Sequence, residues 1–181
     1  MRRQSWMRGA PLLLVVLILF VLGRGMLLHR HASFEKKTGE LPMAAIPLLE
    51  HPTQFFHLED LKGEVFLLHF WATWCGVCLQ EHPVLMEMKK EGVTLVGVAY
   101  RDNPKEAQHT LAKKGNPFKI NLLDATGQFG IDFGVSATPE TFLLDENGRV
   151  HYRFKGPLDF AAYSTTIKPE IEKLKDAKKE A

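Results

Sequence analysis

The sequence of 181 residues has only two cysteines, Cys75 and Cys78, and no marked excess of charge of either sign. With no third thiol available, the two cysteines do not fit the multi-bridge disulfide framework that holds many small secreted domains together. Lysine and arginine number 23 against 21 acidic residues, so the chain lacks the basic footprint of a nucleic-acid-binding protein. What remains is a Cys-x-x-Cys pair, whose spacing suits a disulfide that opens and closes reversibly.

The pair lies at a predicted strand-to-helix turn. Residues 65–70 before it are apolar apart from His69 and predict a buried strand, and residues 79–90 after it predict a helix. At the start of a helix, free N–H groups and the positive end of the helix dipole favour a thiolate on the first sulfur. This context converts a four-residue pattern into a strong indication of redox chemistry.

Three other uses of the pair fit the sequence less well. A tetrahedral zinc site needs four ligands, and only His69 and His82 lie close enough in sequence to help. Covalent haem attachment needs Cys-x-x-Cys-His, whereas Leu79 follows the second cysteine. A purely structural disulfide would close too short a loop to restrict the unfolded chain much. We therefore favour a redox-active disulfide, with no metal and no cofactor.

The N-terminus predicts a membrane anchor over residues 1–29. An apolar run over 10–22 resumes at 26–28, and basic residues precede it: Arg2, Arg3 and Arg8. A helix through both apolar stretches is long enough to cross a bilayer; a cleaved signal peptide is the alternative. The positive-inside rule then leaves the N-terminus in the cytoplasm, although basic residues beyond the run weaken the asymmetry. We expect a single-pass protein of the bacterial inner membrane with its domain in the periplasm.

The rest of the chain predicts a polar tether over 30–40, one globular domain over 41–176 and a solvated lysine-rich tail over 177–181. Beyond the redox pair, the sequence predicts a strand over 94–100 and a helix from Asn103-Pro104 to Gly115. A short helix capped by Asp124 and ending near Gly134 follows, and then a hairpin of 141–145 and 150–154. A closing helix over 159–175 is interrupted at Pro169. This order predicts an α/β fold in which helices flank a central mixed sheet.

The motifs resemble those of the thioredoxin superfamily. The segment FWATWCGVC at 70–78, with Pro83 five residues after the pair, is similar to the thioredoxin active-site strand and kinked helix. Thr138-Pro139 before a strand is similar to the position of the family's cis-proline. Within the superfamily the chain resembles the DsbE/CcmG family, membrane-anchored thioredoxin-like proteins of cytochrome c maturation. That closer likeness lies in 71–75 with Glu81 and His82, in 97–102 through 115–118, and in 130–135 through 139–142.

Thiol chemistry assigns the catalytic roles. Cys75 is the predicted nucleophile that attacks a substrate disulfide, and Cys78 is the resolving thiol that leaves a Cys75–Cys78 disulfide. The resemblance implies that Pro139 is cis and positions the substrate. Trp74 and Thr138 are predicted to flank the sulfur, where an extended substrate segment pairs with the backbone.

Three further residues are candidates for tuning the site. His69 occupies the position of thioredoxin's buried aspartate, so it is a candidate base for Cys78; the alternative is a core histidine held by a backbone hydrogen bond. Glu81 and Glu140 match acids that lie near the active site in the family. Each is a candidate for tuning the thiols or contacting a partner, with a solvated surface acid as the alternative; we assign tuning to Glu81 and substrate contact to Glu140.

The resemblance also implies partners. It predicts reduction of disulfides in apocytochrome c, or in a cytochrome c maturation factor, with electrons supplied by a membrane thiol-transporting reductase. A general periplasmic thiol:disulfide oxidoreductase, acting as oxidase or isomerase, would share the same catalytic residues. A non-catalytic metal-carrying module would use Cys75 and Cys78 as soft ligands, but would not explain Trp71, Pro83 or Pro139.

Overall fold

Six strands form one mixed sheet in a computed structural model that describes residues 14–15, 17–18, 20, 33–40 and 45–179. The spatial order is β1-β8-β7-β4-β5-β6. These strands are β1 (Ser33–Glu40), β4 (Phe66–Trp71), β5 (Thr94–Tyr100), β6 (Ile120–Asp124), β7 (Glu140–Leu144) and β8 (Arg149–Lys155). Neighbours β4, β5 and β6 run parallel, whereas β7 and β8 pair antiparallel. Two short strands, β2 (Ala45–Pro47) and β3 (Phe55–His57), form a separate ribbon.

Helices cover both faces of the sheet, as the order of elements predicts. They are α1 (Gly76–Lys90), α2 (Pro104–Lys114), α3 (Gln128–Phe133), α4 (Phe160–Ala162) and α5 (Lys168–Lys179), with a 3₁₀ turn at Leu58–Leu61 and a π-helical turn at Tyr163–Ile167. One core cluster joins α1, α2 and α5 to the sheet, and the other joins α3 and the 3₁₀ turn to its opposite face. The sheet therefore has no solvated face near its centre, which is typical of mixed α/β domains.

Strand β4 places the redox pair because every one of its residues is buried. Leu67 and Trp71 belong to one core cluster, and Leu68 and Phe70 to the other. Burial on both faces explains why apolar residues follow one another in this strand, whereas apolar and polar residues would alternate in a half-exposed strand. His69 is the single polar residue in this strand, and it too is fully buried.

The loop before β6 packs closely on the sheet beside β4. Phe118 stacks on both His69 and Trp71, with ring centroids 5.9 Å apart in each pair. Gly97 of β5 faces the same ring, and a Cβ there would lie 2.6 Å from Phe118 side-chain carbons. Only glycine fits at this position while the ring stays where it is.

Several predicted boundaries agree with the structure. Strand β5 has the predicted bounds, and Asn103 caps α2 through its side-chain oxygen, which accepts from the N–H groups of Lys105 and Glu106. The N-cap residue of α3 is Gly127 and not Asp124 as predicted, but the Asp124 carboxylate still accepts the Gly130 N–H of the first turn at 2.8 Å. The closing helix is interrupted as predicted, and the interruption is the π-helical turn Tyr163–Ile167, which ends just before Lys168-Pro169. Proline has no N–H for the carbonyl four residues earlier, which explains the irregular turn there.

Two strands were absent from the sequence prediction. The tether predicted over 30–40 is wrong where Ser33–Glu40 forms β1, which pairs antiparallel with β8 at the edge of the sheet. Its charged sequence gives no apolar signal, yet edge pairing needs only backbone groups. Strand β6 follows β5 in parallel register, and Asn121 interrupts its short apolar run. At the other end, α5 continues to Lys179, into the segment predicted as a tail.

The N-terminal residues form a unit of their own, 1–31, separate from 32–181. Its described residues, 14–15, 17–18 and 20, are helical, and their apolar side chains are exposed. The remainder of the anchor predicted over 1–29 lies outside the described residues, as do residues 30–32 and 41–44. Among the residues described, no helix is both long enough and apolar enough to span a bilayer.

Candidate active site

Cys75 and Cys78 are joined by a disulfide at the N-terminus of α1, with their Cα atoms 5.3 Å apart. Cys75 is the N-cap residue, and its sulfur accepts the N–H of Cys78 at 3.2 Å. In the reduced protein this N–H and the helix dipole stabilise a thiolate on Cys75. Cys75 is 8% exposed and Cys78 3%, so the first sulfur is the more accessible of the two.

The Thr138–Pro139 peptide bond is cis and lies against the redox pair. The Cys75 sulfur is 3.7 Å from the Thr138 carbonyl oxygen. The structure thus confirms both the cis bond and its place beside Cys75. Thr138 is half-buried, and the Trp74 side chain is 60% exposed, so both predicted substrate-flanking residues present surface next to the sulfur.

Asp102, at the end of β5, fixes the loop that carries Cys75. Its carboxylate accepts from the Thr73 N–H at 2.6 Å and from the Thr73 hydroxyl at 2.7 Å, and also from the Asn103 N–H at 2.8 Å. Beside it, the Trp74 indole N–H donates to the Arg101 carbonyl at 3.1 Å. Asp102 had no predicted role, although it lies in the family-like stretch 97–102 and between a strand and a helix cap.

We expect Asp102→Asn to lower the free energy of unfolding by about 1.5–3 kcal/mol, because hydrogen bonds to a charged acceptor lose their charge and one oxygen becomes a donor. Disulfide exchange should slow as the loop of Cys75 loosens. Denaturant unfolding and a stopped-flow exchange assay measure the two effects. Asp132→Asn, at an exposed position of α3, is the control and should stay within about 0.5 kcal/mol. Equal stability of the two variants would contradict the role given to Asp102.

His69 and Glu81 form a buried pair below the redox helix. The His69 Nε2 and Glu81 Oε1 atoms lie 3.2 Å apart, and both side chains are fully buried. Neither atom has a hydrogen-bond partner elsewhere in the described part of the chain. His69 Nδ1 lies 2.8 Å from the Thr141 hydroxyl, and Glu81 Oε2 accepts the Leu158 N–H at 2.8 Å. The two polar groups are therefore each other's nearest polar neighbours at these atoms, in an interior where electrostatic interactions are stronger than in water.

This arrangement decides between some of the sequence alternatives. Glu81 is not a solvated surface acid, and His69 is held by side chains and not by a backbone hydrogen bond. Glu81 is three residues after Cys78 on α1, so the carboxylate lies one turn from the resolving thiol on the same helix face. The role of His69 as a base and that of Glu81 as a tuning acid remain predictions. Because the two side chains contact each other, these roles now concern the pair together.

Glu140 is 1% exposed and saturated with hydrogen bonds. One oxygen accepts from the Ser136 N–H at 3.1 Å, the Ser136 hydroxyl at 2.7 Å and the Ala137 N–H at 3.3 Å. The other accepts from Arg153 Nε at 2.9 Å and from Nη2 at 2.6 Å. The prediction that this side chain contacts substrate is wrong, because its carboxylate faces inward and supports the loop before Pro139.

His82 ties α1 to the segment after α2. Its Nε2–H donates to the Gly115 carbonyl at 2.9 Å, and burial lowers the pKa of the imidazole below its ordinary value. The imidazole is therefore held neutral, as a donor to a backbone carbonyl. It belongs to the packing of α1 and not to the disulfide.

This lowered pKa has a consequence for stability. Above about pH 6.5 the imidazole is neutral in both the folded and the unfolded chain, so the full stability is present. As the pH falls below that value the unfolded chain takes up the proton first, and we expect the free energy of unfolding to fall. His82→Gln should flatten this part of the profile, measured by urea unfolding between pH 8 and pH 5, whereas His109→Gln at an exposed site of α2 should not. Parallel profiles for the wild type and His82→Gln would contradict the assignment.

Comparisons with known proteins agree with this geometry. Residues 36–167 match the Redoxin family. The thiol:disulfide interchange protein DsbE of Escherichia coli K12 is 39% identical over 134 residues, which are 74% of this chain and 72% of that protein. The chain belongs to the DsbE family of thiol:disulfide interchange proteins, within the Redoxin family. The DsbE of Haemophilus influenzae is 42% identical over 115 residues, and the match spans 64% of each chain.

A solved structure supports the fold. A secreted Mycobacterium tuberculosis disulfide oxidoreductase, described as homologous to E. coli DsbE, superposes with a TM-score of 0.55 and 27% identity, over 61% of this chain and 81% of that one. The fold is thus thioredoxin-like, and the protein is a thiol:disulfide oxidoreductase with Cys75 and Cys78 as its Cys-x-x-Cys pair. Membership of this family disfavours the alternative of a metal-carrying module.

Proposed function

We propose that the protein reduces the disulfide of an apocytochrome c haem site, or of a maturation factor that handles it, in the bacterial periplasm. The observation that carries the proposal is spatial. The segments that resemble the DsbE/CcmG family converge on the redox pair: Asp102 holds the loop of Cys75, and Glu140 supports the loop that ends at Thr138. Phe118 stacks on Trp71, at the end of the strand that leads to the redox pair. These segments serve one site, which favours a dedicated reductant over a general one.

Each exchange step balances in electrons and protons. The Cys75 thiolate attacks one sulfur of the substrate disulfide, which breaks, and the other substrate sulfur leaves as a thiolate. Cys78 then loses its proton and attacks Cys75, which releases the second substrate sulfur and forms the Cys75–Cys78 disulfide. Two electrons pass from the protein to the substrate. A membrane thiol-transporting reductase would restore the dithiol.

The surroundings of the sulfurs support these roles. The Thr138 carbonyl lies beside the Cys75 sulfur, where an extended substrate segment can pair with the backbone, and Trp74 borders the same surface. Pro139 offers no N–H at this point. The buried His69–Glu81 pair, one turn below Cys78, is the proposed acceptor of the Cys78 proton.

Genetics tests the proposal directly. Haem attachment through thioethers needs both cysteines reduced, whereas an oxidising periplasm tends to pair them. A strain that lacks the protein should fail to mature c-type cytochromes and should recover when an external thiol is supplied. Complementation with the wild type, but not with Cys75→Ser, is the matched control. Normal cytochrome levels, with defects confined to other disulfide proteins, would overturn the proposal in favour of a general oxidoreductase.

The membrane attachment is proposed on the arginines and the apolar run of the N-terminus. Fractionation should recover the full-length protein with membranes, and detergent but not salt should release it. A free species trimmed at the N-terminus would instead indicate a cleaved signal peptide.

A further inference from the structure

The segment 134–138, which we call the proline loop, joins α3 to β7 and brings the Thr138 carbonyl to 3.7 Å from the Cys75 sulfur. It begins at Gly134, which caps α3 in a left-handed conformation with φ of 78°. No strand or helix includes these residues, and Ser136 and Ala137 are exposed. Something other than regular secondary structure must therefore fix the backbone that a substrate would meet.

Two buried side chains do so. Glu140, just after the cis-proline, accepts the N–H groups of Ser136 and Ala137. Arg153 of β8 donates from Nε and Nη2 to the far oxygen of Glu140, and Nη2 also donates to the Gly134 carbonyl at 2.7 Å. The start of the proline loop and the carboxylate that follows its end are thus joined through one guanidinium.

Arg153 is itself held in place. Its guanidinium carbon lies 5.5 Å from the centre of the Phe142 ring, and Phe142 and Arg153 are paired residues of β7 and β8. Arg153 is only 8% exposed and Glu140 1%. A pair so far removed from water adds little net stability, but it selects one arrangement of the groups around it. The planar fork of arginine matters because Nε adds a second bond to Glu140 at 2.9 Å and fixes the direction of Nη2. Lysine has a single, freely rotating ammonium and no nitrogen to replace Nε.

We propose that Arg153 is a positioning residue for substrate recognition: through Glu140 and Gly134 it sets the proline loop in the conformation on which a polypeptide disulfide pairs. Arg153 has no contact with the sulfurs. It therefore controls binding of extended polypeptide substrates and leaves the intrinsic reactivity of the dithiol unchanged. The inference rests on the proposed pairing of substrate with the Thr138 backbone, and it holds for any polypeptide disulfide.

The test compares two substrates with the purified, reduced protein. One is a peptide with a Cys-x-x-Cys-His disulfide, and the other is the small reagent dithionitrobenzoate, which needs no strand pairing. For Arg153→Lys we expect KM for the peptide to rise about tenfold with kcat little changed, because hydrogen bonds of a charged group that orders the binding surface are lost. The rate with the small reagent should stay within about twofold.

Two further variants keep the test decisive. Arg149→Lys makes the same exchange at an exposed position of β8 and should leave both substrates unaffected. Ser136→Ala keeps both charges and removes only the hydroxyl that lies 2.7 Å from Glu140, so it should fold and raise KM for the peptide about threefold. If Arg153→Lys fails to fold, Ser136→Ala alone decides.

The outcomes separate this inference from the proposed function. Unchanged KM for the peptide, or equal losses with both substrates, would overturn the role of Arg153. A selective loss that occurs equally with a peptide lacking the haem-site histidine supports it. If this selective loss is found and the deleted strain still matures cytochromes normally, the role of Arg153 is supported and the proposed substrate is wrong.

Discussion

Replacing Cys75 with serine will abolish disulfide exchange, whereas replacing Cys78 with serine will leave a protein that accumulates mixed disulfides with its partners. The structure gives the reason: Cys75 caps α1, accepts the Cys78 N–H and is the more exposed sulfur, so it forms the first bond to substrate. Without Cys78 nothing resolves that bond. Non-reducing gels and mass spectrometry of the captured species measure the difference.

The reduced wild-type protein offers an independent check. Near neutral pH the Cys75 thiolate should be alkylated much faster than the Cys78 thiol, because only the first sulfur receives the helix N-terminus and is accessible. Mass spectrometry after a short pulse of iodoacetamide gives the two rates. Equal rates, or mixed disulfides formed through Cys78 in the Cys75→Ser variant, would reverse the assigned roles.

Glu81→Ala will destabilise the protein by about 3–5 kcal/mol, the cost of removing one partner from a fully buried acid–base pair. The substitution leaves His69 Nε2 without its neighbour and the Leu158 N–H without its acceptor. Glu87→Ala, at a partly exposed position of the same helix, is the matched control and should cost no more than about 0.5 kcal/mol. Urea unfolding at pH 7 compares them, and similar losses in the two variants would contradict the buried pairing.

A double variant separates stability from proton transfer. Replacing His69 and Glu81 together with leucine removes both partners of the buried pair, and such replacements by apolar side chains are often neutral or stabilising. We expect this variant to recover much of the stability lost in Glu81→Ala, yet to resolve mixed disulfides more slowly than the wild type, since Cys78 has lost its proton acceptor. A wild-type resolving rate in the double variant would remove the pair from the mechanism.

Local patterns in the sequence were sufficient for the part of the fold that places the cysteines. The apolar run before the pair, the cap at Asn103 and the hairpin turn near Asn147 each depend on neighbouring residues, and the structure has all three. Strands β1 and β6 were not predicted because their own sequences lack a clear strand pattern, and each is formed by pairing with a neighbouring strand. β1 is a charged edge strand that needs only the backbone of β8, and β6 is short and interrupted by Asn121.

The site was predictable only where a motif lies within a few residues. The Cys-x-x-Cys pair and the cis-proline followed from local sequence and resemblance, whereas the contacts that hold them join distant residues. Asp102 reaches Thr73 across 29 positions, and His69 reaches Thr141 across 72. Glu140 shows the limit most clearly. Its match to an acid near the family's active site suggested contact with a substrate, but Arg153, 13 residues later, binds its carboxylate in the interior.

The contact between Gly97 and Phe118 places a restriction on redesign of this protein. A methyl group at 97 would overlap the ring, and the ring cannot retreat without leaving its stacks on His69 and Trp71. Any attempt to retune the buried histidine by repacking β5 must therefore alter positions 97 and 118 together, with a smaller side chain at 118 to offset a larger one at 97. Positions 97 and 118 can therefore be substituted only together, although they lie on different segments of the chain.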